Sequence, residues 1–336
     1  MSPFAYARVP GVAAAVASGA RHGSDGMREP GVDFLAGGTD MVQLMAEHLR
    51  APGRVVDVSA LPGLDRIEVT DDGVRIGALV RMAEAARHPD LLRRYAVLPQ
   101  ALLASASASV RNLATLGGNV LQRTRCGYFR DPGAPCNKRE PGTGCPAIGG
   151  RNRDHAVLGT GPHCIATYMS DFAHALAALD ASVRIAGASG ERTIPFLDLH
   201  RPPGDTPSVE TQLAPGDLIL GYDLPAAAPG WRSHYLKVRD RRSYQWATAS
   251  AAVVLDLGAD GAVRDARVAI GGVATRPWRL PGVEAALRGR RLTPVLCRAA
   301  AAGAAEGAVT HGDNAHKPEL IRRTVMRGLE LAGGLA

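Results

Sequence analysis

No stretch of this 336-residue sequence approaches the ~20 consecutive apolar residues that a membrane-spanning helix needs. Aromatic residues are scarce at 4% while apolar residues reach 46%, so Ala, Val and Leu must fill most of the interior. That apolar share argues against disorder as the dominant state, and the length suggests two or three compact domains. The G-x-G-x-x-G dinucleotide fingerprint is missing, and Gly159-Thr160-Gly161 does not continue into one. No glycine-rich stretch ends in Gly-Lys-Ser/Thr, which excludes a P-loop; a dinucleotide, if bound, is held on something other than a Rossmann unit. Internal repeats and low-complexity tails are absent as well. The short apolar segment Val12–Ala20 follows Arg8 and Pro10 without a basic start. It reads as a first helix rather than a signal peptide, and a soluble chain with no export signal of its own is expected.

What is present is a basic balance and an uneven set of cysteines. The net charge of +7 comes mostly from arginines scattered along the chain. No aromatic residues interleave with them, so nucleic acid is not expected as a partner; an acidic protein surface or cofactor phosphates suit the charge better. Of the five cysteines, Cys126, Cys136, Cys145 and Cys164 fall close together and Cys297 stands alone in an Ala-rich helical stretch, as a buried small hydrophobe would.

The first hundred residues alternate short helical and strand patterns. Asp33–Ala36 reads as a strand running into Gly37-Gly38-Thr39, Met41–His48 as a helix, and Arg54–Val58 as a second strand. Asp71-Asp72-Gly73 has the turn chemistry of a hairpin. From Gln122 to Pro162 periodicity disappears amid Gly, Pro and Arg; a loop of that length needs something to order it. Asp171–Leu179 resumes as a helix, with apolar residues at 172, 175, 176 and 179. Asp217–Leu224, Ser233–Val238, Ala247–Leu257 and Val263–Ile270 then alternate like an antiparallel meander, before a mostly helical end.

Two glycine turns stand out. Gly37-Gly38-Thr39-Asp40 joins a strand to a helix, and Thr115-Leu116-Gly117-Gly118-Asn119 repeats the arrangement some eighty residues on. Glycines there let backbone N–H groups point into one concavity, and a helix N-terminus adds partial positive charge. Thr39 and Asp40 could equally be plain helix caps. Two such turns in one α/β region could grip a diphosphate from both sides.

The four clustered cysteines are spaced C-x9-C-x8-C-x18-C, without the C-x2-4-C knuckle usual in zinc sites. Cysteines on separate loops suit a cuboidal iron–sulfur cluster, whose irons each take a thiolate from a different direction. Zinc and free thiols stay open on spacing alone; disulfides are disfavoured. Arg123, Arg125, Arg130, Lys138, Arg139, Arg151 and Arg153 crowd the same loop, either to offset a negative cluster or merely as solvated residues. His155 and His163 could ligate, though ordinary hydrogen-bonded histidines are the plainer expectation.

Ala36-Gly37-Gly38-Thr39-Asp40, Arg111-Asn112-Leu113-Ala114-Thr115-Leu116-Gly117-Gly118-Asn119, Ser170-Asp171 and Tyr235-Leu236-Lys237-Val238-Arg239, in this order, resemble the FAD-binding medium subunits of the xanthine dehydrogenase, or molybdenum hydroxylase, family. The resemblance spans nearly the whole chain. The insert carrying Cys126, Cys136, Cys145 and Cys164 is most similar to the branch with an extra [4Fe–4S] cluster, the periplasmic-type aldehyde oxidoreductases; 4-hydroxybenzoyl-CoA reductase is the alternative within the family, and a zinc-stabilised non-redox binding protein the alternative outside it. The resemblance implies an α+β fold. Residues 1–60 and 61–225 would form two α/β subdomains of an FAD-binding region (PCMH/VAO-like), with the cysteine-rich insert at 122–164. Residues 226–336 would be a C-terminal flavoprotein domain with a three-stranded antiparallel sheet and helices.

It further implies that Ala36, Gly37, Gly38, Thr39 and Asp40, with Thr115, Gly117, Gly118 and Asn119, hold the FAD diphosphate and ribose. Asp171 would bond near the adenosine end, Lys237 would approach the isoalloxazine, and Tyr244 would sit near the flavin. The four cysteines would ligate the cluster. No catalytic acid, base or nucleophile is needed, since cofactors carry the chemistry. Partners would be a large molybdenum–pterin subunit, a small [2Fe–2S] subunit and an external electron acceptor. The compartment would be the cytoplasm, or the periplasm by co-export with a signal-bearing partner.

Overall fold

The computed structural model describes residues 1–20 and 31–335. Three β-sheets follow one another along the chain. The first is parallel, with β1 (Ala5–Arg8), β2 (Val32–Leu35) and β3 (Arg54–Asp57) in the order β1-β3-β2. The helix Val12–Ala20 packs Ala15 and Val16 against Val56, Leu218 and Leu220.

The second sheet holds β4 (Ile67–Thr70), β5 (Gly73–Gly77), β6 (Ser182–Gly187), β7 (Gly190–Pro195) and β8 (Leu218–Pro225) in the order β4-β5-β8-β6-β7. The hairpin expected at Asp71-Asp72-Gly73 joins β4 to β5, with Thr70 opposite Gly73. Asp217–Leu224, which alternates like the meander that follows it, forms β8, central in this second sheet between β5 and β6. Alternation fixes which faces of a strand are buried; it says nothing about which strand lies beside it. The helices Val97–Ala104 and Asp171–Ala178 join this sheet in one core with Ile76, Val183 and Tyr222. Ser170 caps the second of these, its hydroxyl accepting the Ala173 N–H at 3.1 Å, and every residue from Asp171 to Ala178 is buried.

The third sheet is antiparallel, β12-β11-β10-β9, from β9 (Trp231–Val238), β10 (Ala249–Leu257), β11 (Val263–Gly271) and β12 (Trp278–Arg279). Three strands were expected; the fourth, two residues long, pairs with Ala269 and Ile270 and is too short to leave a periodic signal. β10 is buried on both faces. Ala251, Val253 and Leu255 enter the C-terminal core with the helices Pro281–Leu287, Pro294–Ala301 and Lys317–Gly333, while Ala252 and Val254 enter the core of the second sheet. The period of two along one strand therefore joins the two cores. Cys297 lies fully buried in the C-terminal one, as expected. No helix among the described residues is long and apolar enough to cross a membrane.

Candidate cofactor sites

Both glycine turns line one cleft of about 470 Å³, within the roughly 300–1,000 Å³ usual for small-molecule sites. Ala36, Gly37, Gly38, Thr39 and Asp40 form one lip, and Thr115, Gly117 and Gly118 the other. Gly37 sets their separation. A Cβ on it would lie 2.1 Å from the Leu113 carbonyl oxygen, so no other residue allows the first turn to close on the segment leading into the second. Gly38 has φ +71° and turns the chain into the helix Met41–Ala46. The N–H groups of Gly38, Thr39 and Asp40 have no acceptor among the described residues, which leaves donors for an anion. Thr115 Oγ1 accepts from the Gly118 N–H at 3.4 Å and caps the short helix Leu116–Val120.

Asn119 is not on the cleft wall; its Oδ1 accepts from Ser170 Oγ at 2.5 Å and ties the second turn to the Asp171 helix. The roles expected of Asp171 and Lys237 need correction. Their side chains form one buried ion pair at 2.7 Å, so they do not stand at opposite ends of an extended dinucleotide. Asp171 also accepts from Ser105 Oγ at 2.8 Å and Tyr235 Oη at 2.5 Å, and Lys237 Nζ donates to the Ala104 carbonyl at 3.1 Å. The pair sits away from the cleft wall and binds β9 to the helix Val97–Ala104. Tyr244 is 58% exposed at φ +51°, between β9 and β10, and does not line the cleft either.

Asp40 is not a helix cap: its side chain makes no capping bond. Its carboxylate turns to the cysteine insert, forming an ion pair with Arg125 Nη2 at 2.7 Å and accepting from Arg130 Nη2 at 3.0 Å and the Arg123 N–H at 2.8 Å. A second tie runs through Glu210, which forms an ion pair with Arg123 Nε at 2.6 Å and accepts from Lys138 Nζ at 2.7 Å. Arg139 donates inside the insert to the carbonyls of Tyr128 (3.0 Å), Phe129 (2.7 Å) and Ala134. These cations are thus neither a free positive field nor solvated decoration; most of them hold carbonyls and carboxylates.

Beyond the one-turn helix Gly127–Arg130, the insert is turns and bends with isolated bridges at Leu158 and between Gly161 and Cys164. All four of its cysteines line a single small cavity with Phe129, Pro135 and His155. None of the four is joined in a disulfide. Burial first, and then the neighbouring Cys136 and Cys164, push the Cys126 thiol up to about 11; burial also pushes Cys164 up. Among the described residues, no three His, Cys, Asp or Glu side chains converge so as to hold a single metal ion. His163 turns away to Asp205 at 3.7 Å, whereas His155 Nε2 lies 3.1 Å from Cys126 Sγ. Lys138 is common to the walls of the cysteine cavity and the glycine-turn cleft. The sequence drew no attention to Glu210, because a lone acid after a Pro-rich stretch gives no local sign of the cations it meets.

Residues 3–227 match the FAD binding domain in molybdopterin dehydrogenase, and residues 234–331 match the CO dehydrogenase flavoprotein C-terminal domain. This chain belongs to that flavoprotein family. It is 47% identical over 289 residues to the aldehyde oxidoreductase FAD-binding subunit PaoB of Escherichia coli (strain K12), covering 85% of this chain and 86% of that one. Carbon monoxide dehydrogenase from Hydrogenophaga pseudoflava superposes with a TM-score of 0.76 at 25% identity over 99% of both chains. The reconstituted CO dehydrogenase from Oligotropha carboxidovorans gives 0.77 at 22% identity over 100% of this chain and 99% of that one, which is a likeness of fold. The protein is thus an FAD-binding subunit of a molybdenum hydroxylase-type oxidoreductase, and the expected α+β fold is the one found.

Proposed function

We propose that this chain is the FAD- and [4Fe–4S]-binding electron-transfer subunit of a molybdenum-dependent aldehyde oxidoreductase. It would work beside a large molybdenum–pterin subunit and a small [2Fe–2S] subunit and serve an external electron acceptor. The observation that carries the reading is the meeting of all four insert cysteines on one cavity that shares Lys138 with the glycine-turn cleft. Aldehyde as the substrate class is supported by the 47% identity to an aldehyde oxidoreductase subunit.

The residues suit both groups. The N–H donors of Gly38, Thr39 and Asp40 and the capped helix start at Thr115 are suited to hold the FAD diphosphate. Cys126, Cys136, Cys145 and Cys164 would each supply one thiolate to the cluster. A tetrahedral zinc held at about 2.3 Å from each sulfur draws four thiolates tightly around one point; a cuboidal cluster takes them at four separate corners. Four cysteines on one cavity supply that number of thiolates. When bound, flavin and cluster together couple two-electron to one-electron transfer. The chain's own part is to hold them, keep water from the cysteine cavity and fix the wall between them through the Asp40 and Glu210 ion pairs.

The test is an anaerobic visible spectrum with flavin, iron and sulfide analysis of the purified complex. Flavin with about four irons per chain beyond those of the small subunit is expected. Flavin with no such iron would remove the cluster, and inactivity toward aldehydes with an artificial acceptor would remove the substrate class.

A further inference from the structure

The Cys164 sulfur accepts a backbone donor, the Ala166 N–H at 3.4 Å, whereas Cys126 meets a side chain. Cys126 stands at the start of the helix Gly127–Arg130, where its side chain makes no capping bond. His155 approaches from the far side of the insert, with Nε2 at 3.1 Å from Sγ. The imidazole is buried, and its Nδ1 has no partner. With Nδ1 unpartnered, a ring proton on Nε2 has the Cys126 sulfur as its acceptor once that sulfur is a thiolate.

The C-terminal domain holds this ring in place. Asn314 donates its N–H to Asn152 Oδ1 at 3.3 Å and its Nδ2 to the Ala156 carbonyl at 3.1 Å. Lys317, fully buried at the start of the helix Lys317–Gly333, donates Nζ to the carbonyls of Asp154 at 3.1 Å and Gly272 at 2.6 Å. A buried ammonium is costly unless its protons are all placed. Here two of its bonds fix the backbone immediately before His155 to the end of β11, and Asn314 fixes the residue immediately after it. This segment is gripped from outside the insert, and among the described residues lining the cysteine cavity His155 is the only imidazole.

We propose that His155 is a positioning residue for the iron–sulfur centre: it donates a hydrogen bond to the Cys126 thiolate and raises the centre's reduction potential, with Lys317 and Asn314 holding the imidazole in register. The inference rests on the [4Fe–4S] reading of the cysteine cavity. A donor on a ligating sulfur withdraws charge from it, which favours the more negative, reduced state. Leucine at 155 fills much of the same volume without a donor, whereas glutamine restores an N–H of similar reach.

The experiment compares wild type, His155→Leu and His155→Gln in the assembled complex. Iron and sulfide are measured first, then the midpoint of the [4Fe–4S] signal by EPR-monitored potentiometric titration, with the flavin midpoint as an internal control. The expected result is equal iron in all three, a lower cluster midpoint in His155→Leu, a partial return in His155→Gln, and an unmoved flavin midpoint. Wild type without iron and sulfide beyond the small subunit's share would sink the cluster reading and this inference with it. Equal iron with an unmoved cluster midpoint in His155→Leu would sink the inference alone. Loss of iron from both variants would also overturn it, by making His155 a ligand or a packing residue.

Discussion

The two cavities of this subunit are built in opposite ways. The glycine-turn cleft is made of backbone: two strand-to-helix turns, held apart by the distance at which Gly37 meets the Leu113 carbonyl, present N–H groups to an open trough. The cysteine cavity is made of side chains on an insert with almost no regular structure, and it keeps its form through Arg139, Lys138, Asn152 and the imported Lys317. Where sheets and helices set the geometry, small residues suffice. Where they do not, each carbonyl needs its own donor, and buried cations supply them.

The largest effect should come from removing the element the insert is built around. Cys136→Ser is expected to abolish the iron of this chain, read by iron and sulfide analysis, while flavin is retained in reduced amount because Asp40 and Glu210 lose ordered partners. Retention of full flavin occupancy would show that the cleft stands without the insert. Next is acid. His174 and His200 are buried behind the second turn, and burial holds both down to about 4. Their folded values lie below the unfolded one, so the stability they contribute is full above about pH 6.5 and is lost as pH falls toward 4, by up to roughly 3 kcal/mol each. Urea midpoints at pH 7 and pH 5 test this. His200→Phe, placed among Tyr168 and Phe196, should flatten the pH dependence.

The cleft has its own test. Gly37→Ala forces a methyl against backbone that cannot swing away, so the two turns must part. We expect a loss of about 2 kcal/mol in FAD binding, roughly thirtyfold in affinity, with the iron of the insert untouched. An equal fall in iron would mean that the cavities fail together and that the contrast between them is one of appearance.

The same contrast governs what could be read in the sequence. The glycine turns were legible because a strand, two glycines and a helix start are consecutive residues with a local physical meaning. The four cysteines were legible as a set but not as a shape, since spacing gives no distances across a loop. Asp171 and Lys237 were legible as polar residues of consequence, yet their pairing joins positions 66 residues apart and only the packing of β9 on the Asp171 helix reveals it. The pattern of β8 looks like that of the meander after it, and its pairing with β5 and β6 could not be read locally, since a strand's neighbours are chosen by the whole fold. Asn314 and Lys317 gave no sign at all, because a lysine near a helix start ordinarily faces water, and its burial follows from carbonyls more than 40 residues away.

The smallest expected effect is the most discriminating. Asp40 belongs to the cleft by position and to the insert by its bonds, so it is the natural carrier of any coupling between the two. Asp40→Asn keeps the shape and removes the charge that faces Arg125 and Arg130. In a protein with its insert ordered, this should weaken FAD binding by about 1 kcal/mol, roughly fivefold. In the Cys136→Ser background the arginines are no longer held against Asp40, and the same substitution should change almost nothing. The flavin affinities of the two single variants and the double variant close a thermodynamic cycle. A coupling near the full effect of Asp40→Asn would mean that filling the cysteine cavity helps to build the flavin cleft, and by linkage that flavin helps to order the insert. Strict additivity would mean that the ion pairs merely adjoin two sites that assemble independently.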